Sequence, residues 1–268
     1  MLDLAHKHKK MLYPVVRVRA EKAAGSGTVL YSKPHPNQKD EYETFILTNH
    51  HVIDSLLEVK KAWDPVVKRE IKKEFTRPAT VELFEYVYLS ERDSVNAYDA
   101  QIVAYDKDHD LALLKLDSPR PVKYLAELYP KGRERDIKLT QDIIVCGCSL
   151  AHDPFMNVGQ LTFKREYIDN KLYWMGNANS IFGNSGGAVY LADTGQFIGV
   201  PARITGLQLG FGVDIITWMG FFIPISRVYE WMDEQELQFL YDDTVTSTEC
   251  FERRKQKQEK AKLAQRED

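Results

Sequence analysis

Short runs rich in Val, Ile, Leu, Tyr and Phe recur along most of this chain, broken every few residues by Gly, Asn, Asp or Pro. That rhythm leaves little room for any architecture other than a β-sheet closed or stacked on itself. Tyr13 to Arg19 alternates apolar and basic residues and reads as a strand with one wet face. Gly25-Ser26-Gly27 turns into a strand over 28–31, and a strand beginning at 43–47 runs out through Thr48-Asn49-His50-His51-Val52-Ile53. Further strands are expected over 80–89, 100–105, 111–116, 143–148, 159–165, 172–175, 189–191, 197–200 and 221–223. So many short strands with so few helices predict an all-β barrel or sandwich. A helix is expected only after Pro224, over 226–241, with Ser226 as its cap and Val228, Trp231, Met232 and Leu237 along one side.

One segment has a different pattern. Between 55 and 78, Val67, Ile71 and Phe75 recur at a spacing of four among Lys68, Arg69, Glu70, Lys72, Lys73 and Glu74. This spacing predicts a charged amphipathic helix inserted in the first half of the chain, with Pro65 near its start and Pro78 at its end. The last stretch, 251–268, holds seven basic and four acidic residues with almost nothing to bury, and reads as a frayed helix or disorder. The insertion and this tail are the two places expected to dock a partner. The interleaved acids break any phosphate-binding stripe, and the net charge of −3 gives no general pull toward nucleic acid, which is not expected as a partner.

No run of eighteen apolar residues is present, so no membrane partner is expected, and no apolar stretch follows the basic start from Met1 to Lys10. The chain as written is therefore expected to be cytoplasmic. Its three cysteines, Cys146, Cys148 and Cys250, suggest no disulfide framework. Cys146-Gly147-Cys148 lacks a second ligand pair at zinc spacing, so these read as core cysteines and no metal is expected.

The chemistry is concentrated in Phe182-Gly183-Asn184-Ser185-Gly186-Gly187-Ala188. A serine hydroxyl needs a neighbouring base to become a nucleophile, and backbone N–H donors where a carbonyl oxygen turns anionic. Glycine at 183 lets its N–H and that of Ser185 point into one small cavity. A Gly-rich turn between strands is the plain alternative. The base would come from His50 or His51, and the carboxylate that orients it from Asp106, Asp108 or Asp110. Each group lies at the end of an expected strand, in the order His, Asp, Ser.

Thr48-Asn49-His50-His51-Val52, Asp110-Leu111-Ala112-Leu113-Leu114-Lys115-Leu116 and Gly183-Asn184-Ser185-Gly186-Gly187-Ala188 resemble the three signatures of trypsin-like serine peptidases in their HtrA-like form. The similarity extends to Gly25-Ser26-Gly27, Ala104-Tyr105-Asp106, the segment 195–200 and Phe221-Phe222-Ile223-Pro224, covering about 13–241. It implies two six-stranded antiparallel β-barrels, about 13–118 and 135–224, with an extension over 1–12, the helix at 226–241 and a tail over 242–268. It also implies a serine endopeptidase acting on proteins or peptides without a cofactor. His51, Asp110 and Ser185 would be catalytic, with the oxyanion held by the N–H groups of Gly183 and Ser185. His109, His6, His8 and His35 read as surface residues.

By the same resemblance the residue six before the serine, Asn179, lies at the floor of the pocket for the side chain preceding the scissile bond. Ala202, Arg203 and Ile204 form one wall. A neutral floor predicts a preference for small or medium uncharged residues rather than Lys or Arg. Two features depart from the family. Asn184 carries no charge where trypsins place an acid that pairs with a newly cut N-terminus. No PDZ module is expected, because 27 residues (268 − 241) follow Tyr241. The competing functional reading is a catalytically silent peptide-binding or scaffolding module on the same fold.

Overall fold

The computed structural model describes residues 2–21, 23–64 and 69–267. After a short helix α1 (Leu4–Lys7), alternation of apolar side chains builds a first set of strands: β1 (Val15–Arg19), β2 (Ala24–Pro34), β3 (Tyr42–Thr48), β6 (Ala79–Tyr88), β7 (Glu91–Asp106) and β8 (Leu111–Leu116). Between β3 and β6 lie a one-turn helix α2 (His50–Ile53) and the pair β4 (Leu57–Asp64) and β5 (Arg69–Thr76). The second set is β9 (Asp142–Gly147), β10 (Phe155–Ile168), β11 (Lys171–Gly176), β12 (Ala188–Leu191), β13 (Phe197–Leu209) and β14 (Gly212–Pro224). Two helices follow, α3 (Ile225–Glu234) and α4 (Ser247–Glu267).

Each set closes on itself. The first barrel runs β1-β2-β3-β8-β7-β6 and the second β10-β11-β14-β13-β12-β9, every pairing antiparallel. Closure pairs both edges of each sheet, which removes the exposed strand that an open sheet would present. Val16, Val18, Val29, Ile46, Ala112 and Leu114 fill the first barrel. Ile143, Val145, Trp174, Val189, Ile198 and Phe222 fill the second. A third cluster joins the two, with Phe45 and Leu113 from one barrel touching the same core as Cys146, Tyr190 and Val200 from the other and Trp231 from α3. The cysteines are free and buried, and burial pushes the Cys146 thiol well above its ordinary value.

Four expectations change. The insertion is an antiparallel hairpin, β4 with β5, in which Val59 faces Glu74 and Trp63 faces Glu70. A spacing of four places side chains on one face of a strand as well as of a helix, because four is a multiple of the strand period, so Ile71 and Phe75 fit either form. Pro65, Val67 and Lys68 lie outside the described residues. The C-terminal helix stops at Glu234, followed by a single 3-10 turn over Gln238–Leu240, with Glu236 at a positive φ of 56°. Pro224, not Ser226, occupies its cap position. The tail is helical and its first turn is anchored: Cys250 is fully buried, Ser247 donates to the buried Glu43, and Phe251 packs on Phe45 and Phe239. Finally, the face of β1 that reads as wet is dry at Arg17, which is buried.

Candidate active site

α2 begins where β3 ends, after Asn49 in an extended conformation, and this turn lifts His51 out of the barrel wall while leaving His50 inside. His51 is exposed and its Nδ1 lies 2.9 Å and 3.0 Å from the two carboxylate oxygens of Asp110, whose Oδ1 also accepts the His51 backbone N–H at 3.0 Å. Asp110 reaches this position from the turn before β8, in a left-handed conformation (φ 55°), with its carbonyl held by the Asn49 side-chain amide at 2.7 Å.

The other candidates are engaged elsewhere. Oδ1 of Asp106 accepts the N–H groups of Asp108 and His109, closing the turn. Asp108 is exposed. The His50 ring packs against Tyr105, and burial pushes its imidazole below the ordinary histidine range. His109 and His8 are buried rather than superficial. Nε2 of His109 lies 3.2 Å from Glu234 of α3, a partner too distant in sequence to be read from the chain.

The loop bearing Ser185 packs directly on the start of β2 and on the end of β3. A methyl group at Gly186 would fall 2.1 Å from the Ser26 carbonyl oxygen and 2.3 Å from Thr48 Oγ1, so only glycine fits there, and its φ is +84°. Every backbone carbonyl from Ile181 to Ser185 accepts a hydrogen bond. Ile181 O accepts Asn184 N–H at 3.1 Å, Phe182 O accepts Leu150 N–H at 2.8 Å, and Asn184 O accepts Gly187 N–H at 3.0 Å. Ser26 holds the remaining two, Gly183 O through its hydroxyl at 2.6 Å and Ser185 O through its N–H at 2.8 Å. The N–H groups of Gly183 and Ser185 donate to no described residue. Because the C=O and N–H of a trans peptide point in opposite directions, the Leu150 bond to Phe182 O aims the Gly183 N–H the other way. Two free donors are therefore left in the loop that carries Ser185, whose hydroxyl makes no hydrogen bond to a described residue.

The family model of the trypsin-like peptidase domain matches residues 25–200. The chain belongs to the trypsin-like peptidase family. Among solved structures, 452 chains match. One is the crystal structure of Deg5, with a TM-score of 0.57 and 21% identity over 84% of this chain and 90% of that one. That identity speaks for the shared fold alone. No curated protein matches the sequence.

Within this serine-peptidase fold the expected pocket residues divide. Asn179 is exposed, and its carbonyl accepts the Asn157 side-chain amide at 2.9 Å. The cavity beside it is lined instead by Ser180, Val189, Pro201, Gly220 and Phe221. Its free volume of about 10 Å³ is what a single water needs. A methyl group on Gly220 would lie 2.8 Å from Ser180 Cβ, so the absence of a side chain at Gly220 lets the two residues pack together on its wall. Ala202 and Ile204 are half-buried on β13, whereas Arg203 is exposed and tied back to the Tyr173 hydroxyl and Asp169, each at 3.3 Å.

Asn184 is almost wholly buried; its Oδ1 accepts the Ser149 hydroxyl at 2.6 Å, a neutral contact at the position where trypsins carry an acid. Ser26 and Ser180 have no role that is legible in the sequence alone. Ser26 lies between Gly25 and Gly27, and Ser180 follows Asn179, and this adjacency is the signal that points to them.

Proposed function

We propose that the protein is a serine endopeptidase in which His51, Asp110 and Ser185 form the catalytic triad. The observation that carries this reading is the pair of unpaired N–H donors of Gly183 and Ser185, left free in a loop whose carbonyls are all bonded, beside a histidine held on Nδ1 by a carboxylate. Asp110 keeps the proton on Nδ1, so Nε2 of His51 is the face that accepts the Ser185 proton as its oxygen attacks a scissile carbonyl. That contact closes when substrate orders the hydroxyl. The two N–H groups hold the oxyanion, protonated His51 gives its proton to the leaving amine, and water repeats the cycle to release the acyl group.

The narrow cavity lined by Ser180 and Gly220 supports a small uncharged residue before the cleaved bond, such as Ala or Ser. It offers no carboxylate to a Lys or Arg side chain, whose burial without a partner is costly. The β4–β5 hairpin is anchored beside the site. Glu74 accepts the hydroxyl of Tyr105, the residue on which His50 packs, so the hairpin stands where it would screen or recruit protein substrates. A peptide-library digest tests the reading. Cuts after small uncharged residues, all absent in Ser185→Ala, are expected. A digest with no cut dependent on Ser185 would return the protein to the silent peptide-binding module.

A further inference from the structure

Resting on the peptidase reading, the geometry points to Arg17 as the residue that positions the oxyanion hole: it clamps the strained turn over 149–151, whose Leu150 N–H aims the Gly183 N–H. The turn has two successive non-glycine residues in the left-handed region, Leu150 at φ 51° and Ala151 at φ 60°. Such residues persist only where their surroundings hold them, and they cluster at functional sites. Their position explains the need here. The Leu150 N–H reaches Phe182 O at 2.8 Å, and the turn backbone lies against Gly183, where an added methyl would meet Cys148 O at 2.5 Å and Leu150 N at 2.7 Å. If the turn relaxes, Phe182 O loses its donor and the Gly183 N–H is no longer aimed.

Arg17 is the brace on the far side. It sits on β1 opposite Ser26 of β2 and Glu82 of β6, so the three side chains share one face of the first barrel. Its guanidinium donates to Glu82 and lies over the Phe84 ring at 5.2 Å, and Nη1 donates to Ala151 O at 2.8 Å. Asp153 adds a contact at 3.6 Å to the same nitrogen and is itself held by Arg92 at 2.9 Å. A planar fork with a fixed charge can hold a carboxylate on one edge and a carbonyl on another, which an ammonium cannot do with the same geometry. The first barrel thereby fixes the oxyanion loop through a permanent internal cation. Asn184, being neutral, cannot supply the ion pair by which an acid at that position captures a new N-terminus.

Arg17→Met in the full chain tests this with a small-residue peptide substrate, the matching peptide aldehyde and the matching peptide alcohol. Of the two inhibitors, only the aldehyde forms a tetrahedral adduct that needs the oxyanion hole. The inference expects kcat to fall about tenfold to hundredfold, less than the 10²–10³ that outright loss of an oxyanion donor costs. KM and inhibition by the alcohol stay within about twofold of wild type, and the aldehyde loses affinity in step with kcat. Adding Ala151→Gly, which removes the penalty for positive φ, restores part of kcat, as no merely structural role would allow. Wild-type kcat and aldehyde affinity in Arg17→Met overturn the inference, as does a uniform loss of binding by all three ligands. Should Arg17→Met fail to fold, Arg17→Lys decides: lowered kcat at unchanged KM supports the clamp, and wild-type kcat overturns it. If the wild type cuts nothing and Ser185 takes no acylating label, the peptidase reading fails and this one with it. An active wild type matched by its Arg17 variants removes the clamp alone.

Discussion

Asp110→Asn isolates the orienting carboxylate with the least change in shape. In the structure both oxygens of Asp110 address His51 Nδ1, at 2.9 Å and 3.0 Å, and Oδ1 also takes the His51 N–H. The asparagine keeps one oxygen for that backbone donor, so the fold and the position of α2 are preserved. Its amide presents N–H to Nδ1, which moves the imidazole proton to Nε2 and leaves nothing to accept the Ser185 proton. Neighbouring groups do not substitute: Asp106 Oδ1 is bonded within its own turn, and His50 is buried against Tyr105. Loss of the correct tautomer lowers turnover by about 10⁴ in triads of this kind, or about 5.4 kcal/mol of transition-state stabilisation at 1.36 kcal/mol per factor of ten. The assay is the steady-state rate on a small-residue peptide ester, with circular dichroism and thermal melting to show that the variant folds. A folded variant within tenfold of wild type would refute the reasoning, as would a larger loss in Asp106→Asn or Asp108→Asn.

Replacing 57–76 by a short loop should alter rates on folded proteins far more than on a small ester, measured side by side; equal effects would remove the hairpin from substrate selection. Ser26→Ala leaves Cys148 N–H and Gly183 O without their partner at a fully buried site. It should cost about 1–3 kcal/mol in urea unfolding and lower kcat as well, whereas an unchanged unfolding midpoint would show that the hydroxyl is dispensable. His50 is held below its ordinary pKa by burial, so the unfolded chain binds its proton more readily. Stability is therefore full above the unfolded value near 6.5 and is lost as pH falls below it, because protonation then favours the unfolded chain. In His50→Gln the fall in melting temperature below pH 6.5 should be shallower, and an identical profile would mean that another group sets it.

The parts of this molecule legible in the sequence are those whose chemistry or period admits one solution. The strand Leu111–Leu116 is bounded by an acidic turn and carries an apolar run broken only by Lys115, and Ser185 announces itself through glycines that its close packing requires. The hairpin is not legible, because Ile71 and Phe75 satisfy a strand and a helix equally and the choice falls to pairing with β4. Arg17 is hidden for a different reason. A basic residue in an alternating strand reads as solvated, and only folding brings Glu82, Ala151 and Phe84 around it from distant parts of the chain. The expectation for Asn179 rests on its distance in sequence from the serine. The actual bend of the 177–180 segment turns it outward and leaves Ser180 to line the cavity.

The most direct measurement is covalent labelling of the full-length protein with a peptidyl phosphonate carrying a small uncharged residue, read by intact mass and by mapping the modified peptide. The account predicts a single adduct on Ser185, abolished in His51→Ala and slowed by orders of magnitude in Asp110→Asn. A wild-type protein that takes no adduct, or takes it equally fast without His51, would contradict it.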